Sequence, residues 1–339
     1  MNTLLSYFAN PWFCAFAIIF GFILLVYGAD WLVDGASAIA KQMGVSDLII
    51  GLTVVAFGTS MPEFIVSILA AAEHNTEIAI TNILGSNSIN IFVILGLSAL
   101  IYPISSEKSS RHFDIPWSLL AGVLVLFFAI YTRPVSIGWG NFGEFSFQRG
   151  FISGIGGTVL LLCFVIFLWH SLHLAHHSSD EQTKNETSSS FLKALLLIAV
   201  GLGGLVLGGE LIVRSATSIA SMMGVSDAII GLTIVALGTS LPELATSCIA
   251  AYKHNTNLAL GNVIGSNIFN VFFILGTSAL VHPLPTYDGL LLDAAMVTLS
   301  SLLVMTFVYS TSKHEIKRWH GGVLLLVYAI YLSYRILSL

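Results

Sequence analysis

The chain has 339 residues, of which 56% are apolar and only 9% charged, with a mean hydropathy of +0.89. A water-soluble domain carries about 25% charged residues, so this composition excludes a soluble globular protein and indicates an integral membrane protein. The net charge of −5 rests on few charges, with no basic tract for nucleic acid and no P-loop for a nucleotide.

Ten apolar runs follow one another: 12–41, 47–72, 78–102, 116–132, 150–170, 192–221, 227–252, 258–282, 288–310 and 320–337. A helix of roughly 20 apolar residues crosses a bilayer, and the alternation of a β-barrel is absent, so an all-α membrane protein of ten transmembrane helices is expected. The first run begins near Trp12 without a basic n-region or a clear cleavage site, and reads as a retained span rather than a signal peptide. The three cysteines, Cys14, Cys163 and Cys248, lie far apart in apolar runs and read as packing residues.

Between the fifth and sixth runs stands the polar stretch "HHSSDEQTKNETSSS", 176–190. It marks a solvated linker, 173–190, between an N-terminal half, 1–172, and a C-terminal half, 191–339. With the N-terminus outside, nine basic residues fall inside and three (Arg133, Arg149, Arg335) outside, while Arg214 lies within the sixth run. That sorting follows the positive-inside bias. It puts both termini outside and the linker in the cytoplasm, and so discounts the glycosylation pattern at Asn185.

The two halves repeat. Residues 44–100 and 224–280 match at a constant offset of 180, with 35 of 57 positions identical. The match extends weakly back to 28–47 against 208–227. Gly-Thr-Ser-x-Pro-Glu recurs at 58–63 and 238–243, and Gly-Ser-Asn-x-x-Asn at 85–90 and 265–270. Each half has five spans, an odd number, so the second half enters the membrane from the opposite side. Two inverted five-helix repeats are the build of secondary transporters, with the site near the midplane where they meet.

Glu63 and Glu243 lie in spans two and seven, with no Lys or Arg near them in either span. A carboxylate so placed is expensive and marks function by default. Pro62 has no N–H for the carbonyl of Gly58, and Pro242 none for Gly238; the disturbed turns also expose the carbonyls of Thr59 and Thr239. Irregular backbone at membrane depth lines a cavity. Carbonyls, Thr and Ser hydroxyls and a carboxylate make an all-oxygen cage, suited to hard cations such as calcium or sodium; no thiolate or imidazole set suits zinc or copper. Ser86, Asn87 and Asn90 in span three, with Ser266, Asn267 and Asn270 in span eight, offer further neutral oxygens. Asn87 and Asn267 serve equally well as helix–helix hydrogen-bonding residues. Gly85, Gly265, Gly96 and Gly276 are expected to permit close packing.

Other polar residues read as structural. His173, His176 and His177 belong to a solvated end, and His74 and His254, in the repeated "HNT", shape a turn between spans. Asp30, Asp34, Glu210 and Arg214 read as interfacial charges, with ion access as the lesser alternative.

The paired "GTSxPE" and "GSNxxN" motifs resemble the α-repeats of the cation/calcium exchanger superfamily, which includes sodium/calcium exchangers. The short linker resembles that of prokaryotic members. The resemblance implies antiport by alternating access, with spans one and six sliding across a core of spans two, three, seven and eight. It implies that Glu63 and Glu243 are the acidic ligands of calcium and sodium. Thr59, Thr239, Ser60, Ser240, Ser86 and Ser266 would supply further oxygens, and Ala56 and Ala236 backbone carbonyls. Asn90 and Asn270 stand where members vary between Asn and Asp. Both are Asn here, which speaks against potassium dependence and makes the site less acidic.

The expected function is therefore exchange of calcium for sodium at a central two-glutamate site, in the inner membrane of a prokaryote, without a cofactor and without enzymatic chemistry. A proton/calcium antiporter of the same fold is the alternative. A gated cation channel fits the inverted repeat less well, and a membrane-embedded hydrolase lacks a nucleophile–base–orienter set.

Overall fold

A computed structural model of the chain describes residue 8 and residues 10–130, 132–134, 147–149, 151–178, 191–225, 236–285, 287 and 289–337. Most of the expected linker (179–190, with Asn185) and the start of the seventh expected span (227–235) lie outside the described residues. The helices are α1 (Pro11–Met43), α2 (Asp47–Thr59), α3 (Met61–Ala72), α4 (Thr76–Ile101), α5 (Ser110–Ile130), α6 (Gly154–Ser178), α7 (Phe191–Met222), α8 (Ala236–Thr239), α9 (Leu241–Tyr252), α10 (Thr256–Val281), α11 (Leu290–Ser310) and α12 (Arg318–Leu337). Among the described residues, eight of these are long and apolar enough to cross a membrane, and α2 with α3 makes a ninth span bent by 49°. The short pair α8 and α9 repeats the sequence of that bend.

Local sequence accounts for the ends. Asn10 caps α1 by accepting from the Trp12 N–H, Pro11 fills the first helical position, and Gly44 ends the helix at φ 67°. At 33 residues, α1 is about 50 Å long, far more than the hydrocarbon core needs. The two "HNT" histidines sit in left-handed turns, His74 at φ 61° and His254 at φ 60°. Three short antiparallel ladders join segments outside the spans: β1 (Ile104–Ser105) with β6 (Glu315–Ile316), β2 (Thr132–Pro134) with β3 (Phe147–Arg149), and β4 (Phe151–Ile152) with β5 (Leu284–Pro285).

α4 and α10 form the centre. Of their most apolar windows, 78% and 94% are buried, against half or less for the other long helices. Each changes from α to π winding, over Asn90–Leu95 and Phe269–Leu275, and α2 does so over Gly51–Val55. Such segments shift the register of side chains and recur at functional sites. α2 presses on α10 through small residues: a Cβ on Gly265 would stand 2.8 Å from the Ala56 Cβ, and one on Gly261 2.6 Å from the Leu48 carbonyl oxygen. Gly96 and Gly276 are likewise close-packed, against Gly321 and Gly157. Gly85 is not: a Cβ there meets nothing within 4 Å, so its expected packing role does not hold.

Outside this centre, α1 and α7 pack along their length. Their contact is a seam of small residues: Gly21 faces Gly208, Gly28 faces Gly201 and Gly35 faces Ala194, each with a would-be Cβ 2.8 Å from the facing carbonyl oxygen. As one number rises by seven the other falls by seven, so the helices run antiparallel. Lipid supplies no hydrophobic force between helices, and close approach of small residues does the work. Because 28–47 and 208–227 are matched segments of the repeat, antiparallel packing of α1 and α7 sets these two segments in opposite senses.

Candidate cation site

Both GTSxPE motifs break their helices at the serine. Ser60 (φ −84°, ψ 8°) separates α2 from α3, and Ser240 (φ −88°, ψ 7°) separates α8 from α9. Pro62 and Pro242 then occupy the second positions of α3 and α9, within the first turn, where no intrahelical donor is needed. Glu63 and Glu243 fall in the first turns, where the unpaired N–H groups of a helix start favour negative charge. Both side chains are buried, at 0% and 1% exposure, and neither has a basic partner among the described residues. Asp293 on α11 shows the other solution for a carboxylate in a span: it accepts from Tyr287 and Tyr331 and faces Arg335 at 3.7 Å.

Hydroxyls link the carboxylates crosswise. Ser60 donates to Glu243 Oε1 at 2.8 Å, and Ser240 to Glu63 Oε1 at 3.3 Å. Each glutamate also accepts from the serine of its own half, Ser86 to Glu63 at 3.3 Å and Ser266 to Glu243 at 3.5 Å. The second carboxylate oxygen of each, Oε2, is buried without a hydrogen-bond partner. The same holds for Oδ1 of Asn90, Oδ1 of Asn270 and Oγ1 of Thr239. Buried polar atoms are nearly always satisfied, and these five oxygens on the two motif pairs are exceptions that could ligate a cation. Two carboxylates and neutral oxygens suit a hard ion.

The structure separates the asparagines by role. Nδ2 of Asn87 donates to the Asn267 carbonyl at 3.1 Å, and Nδ2 of Asn267 to the Asn87 carbonyl at 3.2 Å. Their side-chain oxygens accept from Asn270 and Asn90, both at 3.0 Å. Asn87 and Asn267 are thus taken up in holding α4 to α10, while Asn90 and Asn270 keep an acceptor to offer. Ala56 is tied into its own turn, its carbonyl accepting from the Ser60 N–H at 3.1 Å and from the Thr59 hydroxyl at 3.4 Å. Ala236 begins α8.

Two residues outside the motifs belong to this assembly. Asn262 donates to the Glu243 carbonyl at 3.4 Å and to Ser247 at 2.9 Å, and its Oδ1 accepts from Thr59 at 3.2 Å. Asn82 makes the first two bonds in the other half, to the Glu63 carbonyl at 3.2 Å and to Ser67 at 2.9 Å. The third has no counterpart, since Asn82 makes no bond to Thr239. Asn262, by accepting from the Thr59 hydroxyl, turns that oxygen's hydrogen toward α10. Sequence reasoning passed over this pair. The signal was their identity at the repeat offset, one turn before each GSNxxN. Thr239 also lines a cavity of about 360 Å³ between α3 and α7, bordered by Met61, Pro62, Glu210, Val213 and Pro242.

Comparison with known proteins gives the chain's family and fold. The family model for sodium/calcium exchanger proteins matches residues 13–173 and 193–337. A membrane protein of Methanocaldococcus jannaschii is 39% identical over 312 residues, covering 91% of this chain and 94% of that protein. The sodium/calcium exchanger MaX1 of Methanosarcina acetivorans is 33% identical over 338 residues, covering 93% and 96%. Among solved structures, the sodium-calcium exchanger NCX_Mj soaked with 10 mM Na+ and no Ca2+ matches with a TM-score of 0.79 at 34% identity, over 96% of this chain and 99% of that one.

Proposed function

The chain belongs to the sodium/calcium exchanger family of multi-pass membrane cation/calcium antiporters, and from that premise we propose that it exchanges calcium for sodium by alternating access at the Glu63–Glu243 site. The observation that carries this reading is the pair of buried first-turn carboxylates, cross-bonded by Ser60 and Ser240, each with an oxygen left unpartnered. In this reading the ligands are Glu63, Glu243, Thr59, Thr239, Ser60, Ser240, Ser86, Ser266, Asn90 and Asn270, with the carbonyls of Ala56 and Ala236. Two ionised glutamates carry a charge of −2. One calcium ion balances it, as do about two sodium ions, so the two cargoes compete for one cage.

The neutral oxygens favour sodium over the proton as the counter-ion. A proton needs a single basic atom, whereas sodium must have its hydration replaced by several oxygens. The antiparallel α1–α7 seam supports ten spans in two inverted halves. The basic-residue bias supports both termini outside and the 173–190 linker in the cytoplasm.

The test is calcium efflux from loaded proteoliposomes at clamped pH and voltage. External sodium is expected to accelerate efflux, and choline is not. Acceleration by a pH gradient alone would make the protein a proton/calcium antiporter. Calcium flux that neither saturates nor needs a counter-ion would make it a channel.

A further inference from the structure

Lys253 ties the turn after α9 to α1. It follows α9, and its Nζ lies 2.7 Å from Asp30 Oδ1 and 2.7 Å from Asp34 Oδ1, both on α1. It also donates to the Asp30 carbonyl at 3.3 Å. Two residues on, Asn255 donates to Ser37 of α1 at 2.9 Å and to Asp47 at 2.7 Å. Its Oδ1 caps α10 by accepting from the Leu258 N–H. These bonds fasten α1 to the turn between α9 and α10, and α1 packs on α9 beside them. Burial works against the Lys253 charge, but the two aspartates outweigh it and hold the lysine pKa above its usual value.

At the repeat offset, Lys253 corresponds to Glu73, Asn255 to Asn75, Asp34 to Arg214 and Ser37 to Thr217. Acid and base have changed places, yet the pair is again complementary: Glu73 on the turn after α3, Arg214 on α7. None of the matching bonds is made. Arg214 pairs with Glu210 of its own helix. Glu73 has no ion pair among the described residues. Asn75 is exposed and makes no side-chain cap, and Thr217 Oγ1 is buried without a partner. α7 has no packing on α3 comparable to that of α1 on α9. In its place lies the 360 Å³ cleft that reaches Thr239.

We propose that Glu73 with Arg214, supported by Asn75 with Thr217, is a second clasp that closes the α3–α7 cleft in the opposite-facing state, where the Lys253–Asp30/Asp34 clasp is open. The two halves have the same fold in opposite senses, so the state in which they exchange conformations turns each contact into its repeat mate. Closing the cleft carries α7 onto α3 and frees Arg214 from Glu210 for Glu73. The same slide draws α1 away from Lys253. The clasps therefore alternate, and their relative strengths set which face is favoured. This inference rests on the exchange reading above, and extends it to residues that touch no transported ion.

The test uses full-length protein in liposomes, with the three native cysteines replaced. Cysteines at 73 and 214 are joined with a short bifunctional thiol reagent. Cross-linking is expected, and it should block labelling of a cysteine at Val213 in the cleft. Absence of a cross-link under sodium, calcium and ion-free conditions alike overturns the clasp, whatever the transport activity. In a second arm, Glu73→Arg is expected to slow exchange about three- to fivefold, the scale of one exposed ion pair, and Glu73→Arg with Arg214→Glu to restore it within about twofold. Failure of the double exchange to restore a rate that the single change lowered also overturns it. Wild-type protein without calcium exchange would instead overturn the function proposed above and leave the cross-link to be read by itself.

Discussion

Asn87 and Asn267 exchange hydrogen bonds, each side-chain amide donating to the backbone carbonyl of the other, at 3.1 and 3.2 Å. Both lie in the buried middle of α4 and α10. Replacing either by leucine removes one bond to a carbonyl of the partner helix and leaves a buried side-chain amide there, that of Asn270 or Asn90, without its acceptor. Each variant should lose about 1–3 kcal/mol of stability, read as a lower thermal midpoint in detergent. The double variant should lose less than the two together, because both remove parts of one exchange. Additive losses would show that the two bonds act separately.

Glu63→Gln and Glu243→Gln should each weaken calcium binding by about 2–5 kcal/mol, a loss of about 30-fold or more. Neither should lower the thermal midpoint in calcium-free buffer, because each removes a buried charge that has no basic partner. The stabilisation that calcium gives the parent protein, expected from mass action, should disappear in both. Calcium-dependent stabilisation equal to the parent's would remove that glutamate from the cage.

Asn262 and Asn82 offer a comparison within one molecule. Asn262 holds Thr59 as well as the Glu243 carbonyl, whereas Asn82 makes no bond to Thr239. Asn262→Leu should therefore raise the apparent KM for calcium about tenfold, the usual cost of losing support behind a metal ligand. Asn82→Leu should raise it less. Equal effects would mean that Thr59 is not positioned by this bond.

The α1–α7 seam predicts a contrast among glycines of one helix. A Cβ at Gly201 would stand 2.7 Å from the Gly28 carbonyl oxygen, while one at Gly203 meets nothing within 4 Å. Gly201→Ala should destabilise by about 1–3 kcal/mol as the helices are forced apart. Gly203→Ala should be neutral or stabilising by up to about 1 kcal/mol, since alanine favours the helix. Thermal unfolding of the two single variants decides it.

Much of this architecture is legible in residue order because the bilayer permits few solutions. Among the described residues, eight of the apolar runs become long helices and a ninth becomes a bent pair, and the proline before each motif glutamate follows a helix break. What stays hidden has physical causes. The π segments at Asn90 and Phe269 depend on backbone register, for which no residue type is diagnostic. Asn87 and Asn90 are equal candidates by composition, and only the partner across the interface assigns one to bracing and the other to offering an oxygen. Asp30 and Asp34 read as interfacial charges because Lys253 is more than 200 residues away along the chain. The repeat also matches closely in letters, while the structure departs from it: Thr59 donates to Asn262 whereas Thr239 makes no bond to Asn82, and Lys253 pairs with Asp30 and Asp34 whereas its repeat mate Glu73 has no ion pair among the described residues.

The reciprocal bonding of Asn87 and Asn267 is the pattern of an isologous homodimer, in which residue i of one copy meets j of the other and j meets i. In a true homodimer any substitution appears on both faces at once. Joining the copies in one chain lifts that restriction, and the sequence shows it at positions 34 and 214 and at 73 and 253, where acid and base have traded sides. The turns and helix ends of the two copies can thus diverge separately in charge while the motif pairs stay matched, so under the proposed exchange a bias toward one direction can be inherited without altering what is carried.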